Sequence, residues 1–271
     1  MDRDPEPPDA LHSQPSRRDP GAQPPPVRAS ALVAGALAPD LPYLLPQATS
    51  ADWGPYSDFN LTYTHQLGTG LVAGTVITLL LLVLFHQVLK RPLLALLPES
   101  AAGRLSEVAD DFRWSPAAQT AWVVVSAVIG VLTHLLWDAL VHENGSVTWS
   151  PLPDSPAVTE ALWWGSTLAG ALVIAAWLGN WLRRTPRRPV PSRTTLGTAG
   201  RLWASTLVVL AGLAGVALKM VWRDIGISEA VHSAAAMRQV VTGGMSGVAV
   251  GLLIYAVLWN LSGRARDSGR E

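Results

Sequence analysis

Leu67–Leu89 (LGTGLVAGTVITLLLLVLFHQVL) contains no Asp, Glu, Lys or Arg. At about 1.5 Å of rise per residue, such a run can cross the roughly 30 Å of hydrocarbon in a bilayer as a helix. Lipid offers nothing to hydrogen-bond a bare backbone, so a continuous apolar run of this length satisfies its own amides as a helix. The stretch therefore predicts an all-α membrane fold. Ala117–Val141, Ala157–Leu182 and Trp203–Val221 are runs of the same kind. A fifth extends from about Val240 to Leu261, and the glycines at its start permit close helix contact.

Composition agrees with that reading. The chain has 271 residues, 49% hydrophobic and only 15% charged, and no cysteine, which excludes disulfides and thiolate metal sites. Twelve Trp against three Phe point to indoles used as interfacial anchors. Net charge is zero, and no basic face with interleaved aromatics stands out, so no nucleic-acid partner is expected. A Gly-rich phosphate loop, a nucleophile elbow and a βαβ rhythm are all missing, which excludes the common soluble enzyme classes. The expected partner is the lipid bilayer.

Residues 1–28 are Pro-rich and charged and read as a disordered tail. Residues 29–262 read as one transmembrane helical domain, and 263–271 as a basic tail. Within the domain, Ala29–Pro46 (ASALVAGALAPDLPYLLP) is apolar enough to enter a bilayer, but Pro39, Pro42 and Pro46 interrupt a helix. It predicts a short helix ending at Pro39-Asp40, or a broken spanning segment. The architecture expected is thus a polytopic bundle of five long helices with a short or broken N-terminal membrane segment.

Lys and Arg set the orientation. The Asp52–His65 and His142–Glu160 loops have none, whereas the connection 183–201 carries six arginines, and Lys90, Arg91, Arg104, Arg264, Arg266 and Arg270 follow other helix ends. The positive-inside rule places these basic segments and both termini in the cytoplasm of a multi-pass cell-membrane protein. Lys219 and Arg223, in the loop after the fourth long helix, are the mild exception.

On that topology, polar residues gather at one level. Gly130–His142 (GVLTHLLWDALVH) places His134, Asp138 and His142 at i, i+4 and i+8 on one stripe of an apolar helix. Ionisable groups in a membrane segment are costly and mark function by default. His65 stands just before the helix Leu67–Leu89, at its outer mouth, and Asp40 follows the outward-going first segment. Imidazole and carboxylate ligate zinc, manganese and other divalent ions, so Asp40, His65, His134 and Asp138 are candidate metal ligands. His142 lies about 12 Å along a regular helix from His134, too far to share its ion. It is a candidate catalytic base, or a further ligand if the helix ends at Glu143-Asn144-Gly145. His86, beside Lys90 and Arg91, reads as a headgroup contact, and His232 as a surface residue. A packing lock or a proton relay explains a His/Asp stripe without any metal. Two functions stay open: a metal-dependent hydrolase, and a non-catalytic membrane protein such as a small transporter, a proton-coupled component or an assembly factor.

The phrases Ala31–Tyr43 (ALVAGALAPDLPY), Thr64-His65, Phe85-His86, Arg91-Pro92-Leu93, Leu97-Pro98 and His134–His142 (HLLWDALVH) resemble the bacterial integral-membrane family named domain of unknown function 4184. Trp164-Gly165-Ser166 before an apolar run fits the same family, and the resemblance covers roughly residues 30–185. It implies no established activity. Its Pro-Asp, His and His-x-x-x-Asp pattern is reminiscent of membrane-bound proteins described as metal-dependent hydrolases. Members open with a Ser-His-Pro-like element before the Pro-Asp turn. Here the Pro-rich tail stands in that place, so one ligand implied by the resemblance is missing.

Overall fold

A computed structural model describes residues 27–44, 63–111, 117–141, 155–187 and 195–268; residues 1–26, His142 and 269–271 lie outside the described residues. The described residues form helices and no strand. Five of the helices are long and apolar enough to cross a membrane.

The first segment is α1 (Ala29–Leu37), which continues as a 3-10 helix over Ala38–Leu44. Pro39 and Pro42 explain the change of winding. Each lacks an N–H, and an α-helix through them would lose a bond at each site, so the chain tightens instead. The expected short helix is present, and the Pro-Asp element is its continuation rather than its stop.

Helix α2 (Leu67–Leu84) passes through a π-turn at Phe85–Leu89 into α3 (Lys90–Leu96), so the apolar span is Leu67–Leu96, longer than the run expected to end at Leu89. Pro92 does not end it. The carbonyl that Pro92 leaves without its i+4 donor belongs to Val88, and Asn260 Nδ2 donates to it at 3.1 Å. Tyr255 Oη donates to the Pro92 carbonyl at 2.9 Å. A partner helix thus repairs the break. The ring nitrogens of His86, expected at the headgroups, are shielded from the surface inside this turn.

Helix α4 (Glu99–Asp111) is short and amphipathic. The long helices α5 (Ala117–Val141), α6 (Pro156–Arg184), α7 (Thr198–Trp222) and α9 (Ala234–Ser268) follow, with the single-turn helix α8 (Ile227–His232) before the last. On α8, His232 is exposed as expected, with Nδ1 2.7 Å from the Ser228 carbonyl. Arg104 of α4 donates to the Thr185 carbonyl at 3.0 Å and so holds the end of α6.

Two packed groups make up the bundle. In the first, α1 runs beside α5 in the same direction: the Arg28 amide donates to Ser126 Oγ near its start, and His134 bonds the Ala36 carbonyl near its end. Backbones touch between them. A Cβ on Gly35 would fall 2.5 Å from the Ala127 carbonyl oxygen, and one on Gly130 would collide with the Leu32 oxygen. Helix α2 packs antiparallel on α5, with Gly74 against Val131, and Ala31, Leu82 and Val123 form a shared core. In the second group, α7 and α9 meet through glycines at 212, 215, 243, 247 and 251. Helix α6 stands nearly bare, with none of its apolar window buried. Leu168, Leu172, Val173, Ile174 and Trp177 are all exposed on it. Water would not tolerate such a surface; lipid does.

Candidate metal centre

The antiparallel packing of α2 on α5 puts the start of one helix beside the end of the other. His65, at the turn before α2, therefore reaches His134 and Asp138 on α5, and the parallel run of α1 brings Asp40 to the same level. Four side chains from three segments form a ring. His65 Nε2 lies 3.3 Å from Asp40 Oδ1 and 3.4 Å from Asp138 Oδ2. His134 Nε2 lies 3.6 Å from Asp40 Oδ1 and 3.3 Å from Asp138 Oδ2. The ligand atoms of Asp40, His65 and His134 all fall within 4.8 Å of one another. The two imidazole planes are inclined at 67°, so their nitrogens converge without the rings stacking.

Both imidazoles are oriented by their other nitrogens. His134 Nδ1 sits 2.8 Å from the Ala36 carbonyl, and His65 Nδ1 sits 3.1 Å from Thr64 Oγ1. In the 3-10 winding, the donor to Ala36 O would be the amide of residue 39, a proline with none. Pro39 thereby leaves a carbonyl open for His134, and the adjoining Asp40 supplies a carboxylate. A carbonyl only accepts, so Nδ1 of His134 donates to it, and in the neutral imidazole this leaves the lone pair of Nε2 facing the ring. Metal-binding histidines are held in the same way.

The four contacts lie within ion-pair range, and His65 Nε2 and Asp40 Oδ1 are also within hydrogen-bond distance. A charge-assisted N–H···O contact closes to about 2.7–2.9 Å, and all four ring contacts are longer. His134 Nε2 is buried and makes no well-directed hydrogen bond. Ligands placed about 2.0–2.1 Å from a tetrahedral ion stand roughly 3.3 Å apart, and the two edges that join Asp40 to His65 and His134, 3.3 and 3.6 Å, are close to that spacing. The donor set fits as well. Imidazole and carboxylate are ligand types that zinc takes, and Asp138 stands 3.4 and 3.3 Å from the two imidazoles.

Exposure is uneven around the ring. The side chains of His65 and His134 are 8% and 12% exposed, Asp138 is 23%, and Asp40 is 57%. The centre opens on the Asp40 side. Each of the four expected ligands thus sits in one cluster, whereas His142, the expected base, lies outside the described residues. Sequence reasoning missed the Ala36 carbonyl, Thr64 and Tyr43, whose ring lies edge-on to His65 at 6.0 Å between centroids. Of these, only Ala36 had a readable signal, the proline three residues on.

No curated protein and no solved structure matches the chain. The family model described as "Domain of unknown function (DUF4184)" matches residues 22–257, extending past the resemblance read over 30–185 to include α7 and most of α9. With Pro39-Asp40, His65 and His134–Asp138 all inside that match, the chain belongs to the DUF4184 family.

Proposed function

We propose that this protein is a membrane-embedded, metal-dependent hydrolase whose centre is formed by Asp40, His65, His134 and Asp138. One observation carries the reading: Asp40, His65 and His134 each offer a ligand atom within 4.8 Å of the others, and Asp138 stands 3.4 and 3.3 Å from the two imidazoles. A bound zinc or manganese ion would supply Lewis acidity and would make water a nucleophile near neutral pH. The chain's own residues do the rest. His134 is fixed in one tautomer by Ala36, and His65 is steadied by Thr64. Asp40, the exposed member, stands where a substrate and water arrive. The basic segments at the opposite helix ends support an extracytoplasmic centre by the positive-inside rule.

Metal analysis of purified protein tests the reading. About one equivalent of zinc or manganese per chain is expected, lost in both His134→Ala and Asp138→Ala, the number following from a single four-ligand centre. Folded wild-type protein that takes up no divalent ion would sink it. That result would leave the ring as a packing lock or proton relay in a non-catalytic membrane protein.

A further inference from the structure

We infer that the substrate is a phospholipid, which reaches the centre sideways from the bilayer along α1 and presents its phosphoester at Asp40. This rests on the metal-hydrolase reading above. The first argument is depth. His134 and Asp138 belong to the apolar span Thr120–Leu140, and His65 stands just before the span that begins at Leu67. Six residues separate His134 from the end of its span, about 9 Å at 1.5 Å per residue. Asp138 stands two residues inside the end of that span and His65 two residues before the start of its own, so the ring reaches from the hydrocarbon to its border with the headgroups, the level at which a phospholipid carries its phosphoester.

The second argument is the shape of α1. Ala31, Gly35 and Ala38 are buried against the bundle, and the opposite face carries Val33, Leu37 and Asp40 at i, i+4 and i+7. Val33 is 57% exposed and Leu37 60%, matching Asp40 at 57%. An apolar track thus leads along one helix face from the depth of the slab to the only strongly exposed ligand of the four. A water-soluble ester has no use for that track, whereas an acyl chain lies along it while the headgroup reaches the ring. A phosphoester also suits the centre chemically, because its anionic oxygens are hard ligands for a divalent ion.

The reaction consumes one water. Its oxygen bonds to phosphorus, one P–O ester bond breaks, and the departing oxygen takes up a proton, leaving an alcohol and a phosphomonoester.

The experiment compares two substrates with one phosphodiester. Zinc-loaded or manganese-loaded protein in mixed micelles receives long-chain phosphatidylethanolamine and phosphatidylglycerol. Parallel samples receive the dihexanoyl analogues below their micellar concentration, and products are read by mass spectrometry with metal content measured on the same samples. Long-chain lipid should be cleaved with kcat/KM at least about tenfold above the short-chain analogue, because only it has remote binding energy to use. Leu37→Lys should raise KM for long-chain lipid and leave the metal content unchanged. Short-chain analogue cleaved as well as lipid, or a metal-loaded protein that cleaves no phospholipid, overturns the lipid inference and leaves the metal centre standing. A protein that binds no metal overturns the hydrolase reading itself.

Discussion

At the level of single residues, the centre depends on atoms that hold its ligands as much as on the ligands. His65 keeps its Nε2 toward the ring because Nδ1 has Thr64 Oγ1 at 3.1 Å, and Thr64 is 4% exposed. Replacing Thr64 by Val keeps the volume and removes the hydroxyl. Metal affinity should fall by roughly ten- to a hundredfold, the range for losing the partner of a ligating histidine. Competition with a chromogenic chelator measures it, and an unchanged affinity would show that the hydroxyl does not orient His65. Pro39 acts by subtraction. It withholds an amide from Ala36, and the imidazole of His134 takes the place.

At the level of elements, the same device recurs at the other end of the bundle, where Pro92 frees the Val88 carbonyl and Asn260 answers it across 172 residues of sequence. Asn260→Leu should destabilise the protein by about 1–3 kcal/mol, since a shielded carbonyl is left unpaired. In a Pro92→Ala background the helix supplies its own donor, and the same substitution should cost much less. Thermal unfolding in detergent of the four proteins of this cycle gives the coupling. Equal costs in both backgrounds would mean the Asn260 contact has nothing to do with the proline. This pair also shows where the sequence was readable and where it was not. The five long helices were legible because an apolar run must be helical in lipid, whatever its neighbours do. The true length of α2 through α3 was not legible, because a proline reads as a stop until a distant asparagine is known to stand beside it. The meeting of these four side chains was legible from topology: His134 and Asp138 share a helix face, and helix order carries His65 and Asp40 to the same end. The side chains and carbonyl that hold those ligands depend on contacts between segments, which spacing along the chain does not encode.

For the molecule as a whole, the arrangement of spans makes a sidedness prediction. The chain has no cysteine, so single cysteines report position cleanly. Gly145→Cys, in the loop without Lys or Arg, should react with a membrane-impermeant maleimide added to intact cells. Arg188→Cys, in the six-arginine connection, should react only after permeabilisation. The reverse pattern would place the metal centre in the cytoplasm and overturn the assigned orientation.

The parallel run of α1 beside α5 carries a last consequence. Nine α-helical and seven 3-10 residues reach about 27 Å at roughly 1.5 and 2.0 Å per residue, short of the roughly 30 Å of hydrocarbon. The amide of Arg28 is tied to Ser126, nine residues and about 14 Å along α5 from its start at Ala117. In a membrane the Arg28 side chain would have to snorkel to reach headgroups, and a bilayer would thin along this flank to meet it. A notch of that kind makes the protein sensitive to membrane thickness. In bilayers of longer acyl chains the mismatch would grow at α1, the segment that carries the Ala36 carbonyl behind His134 and leads into Asp40.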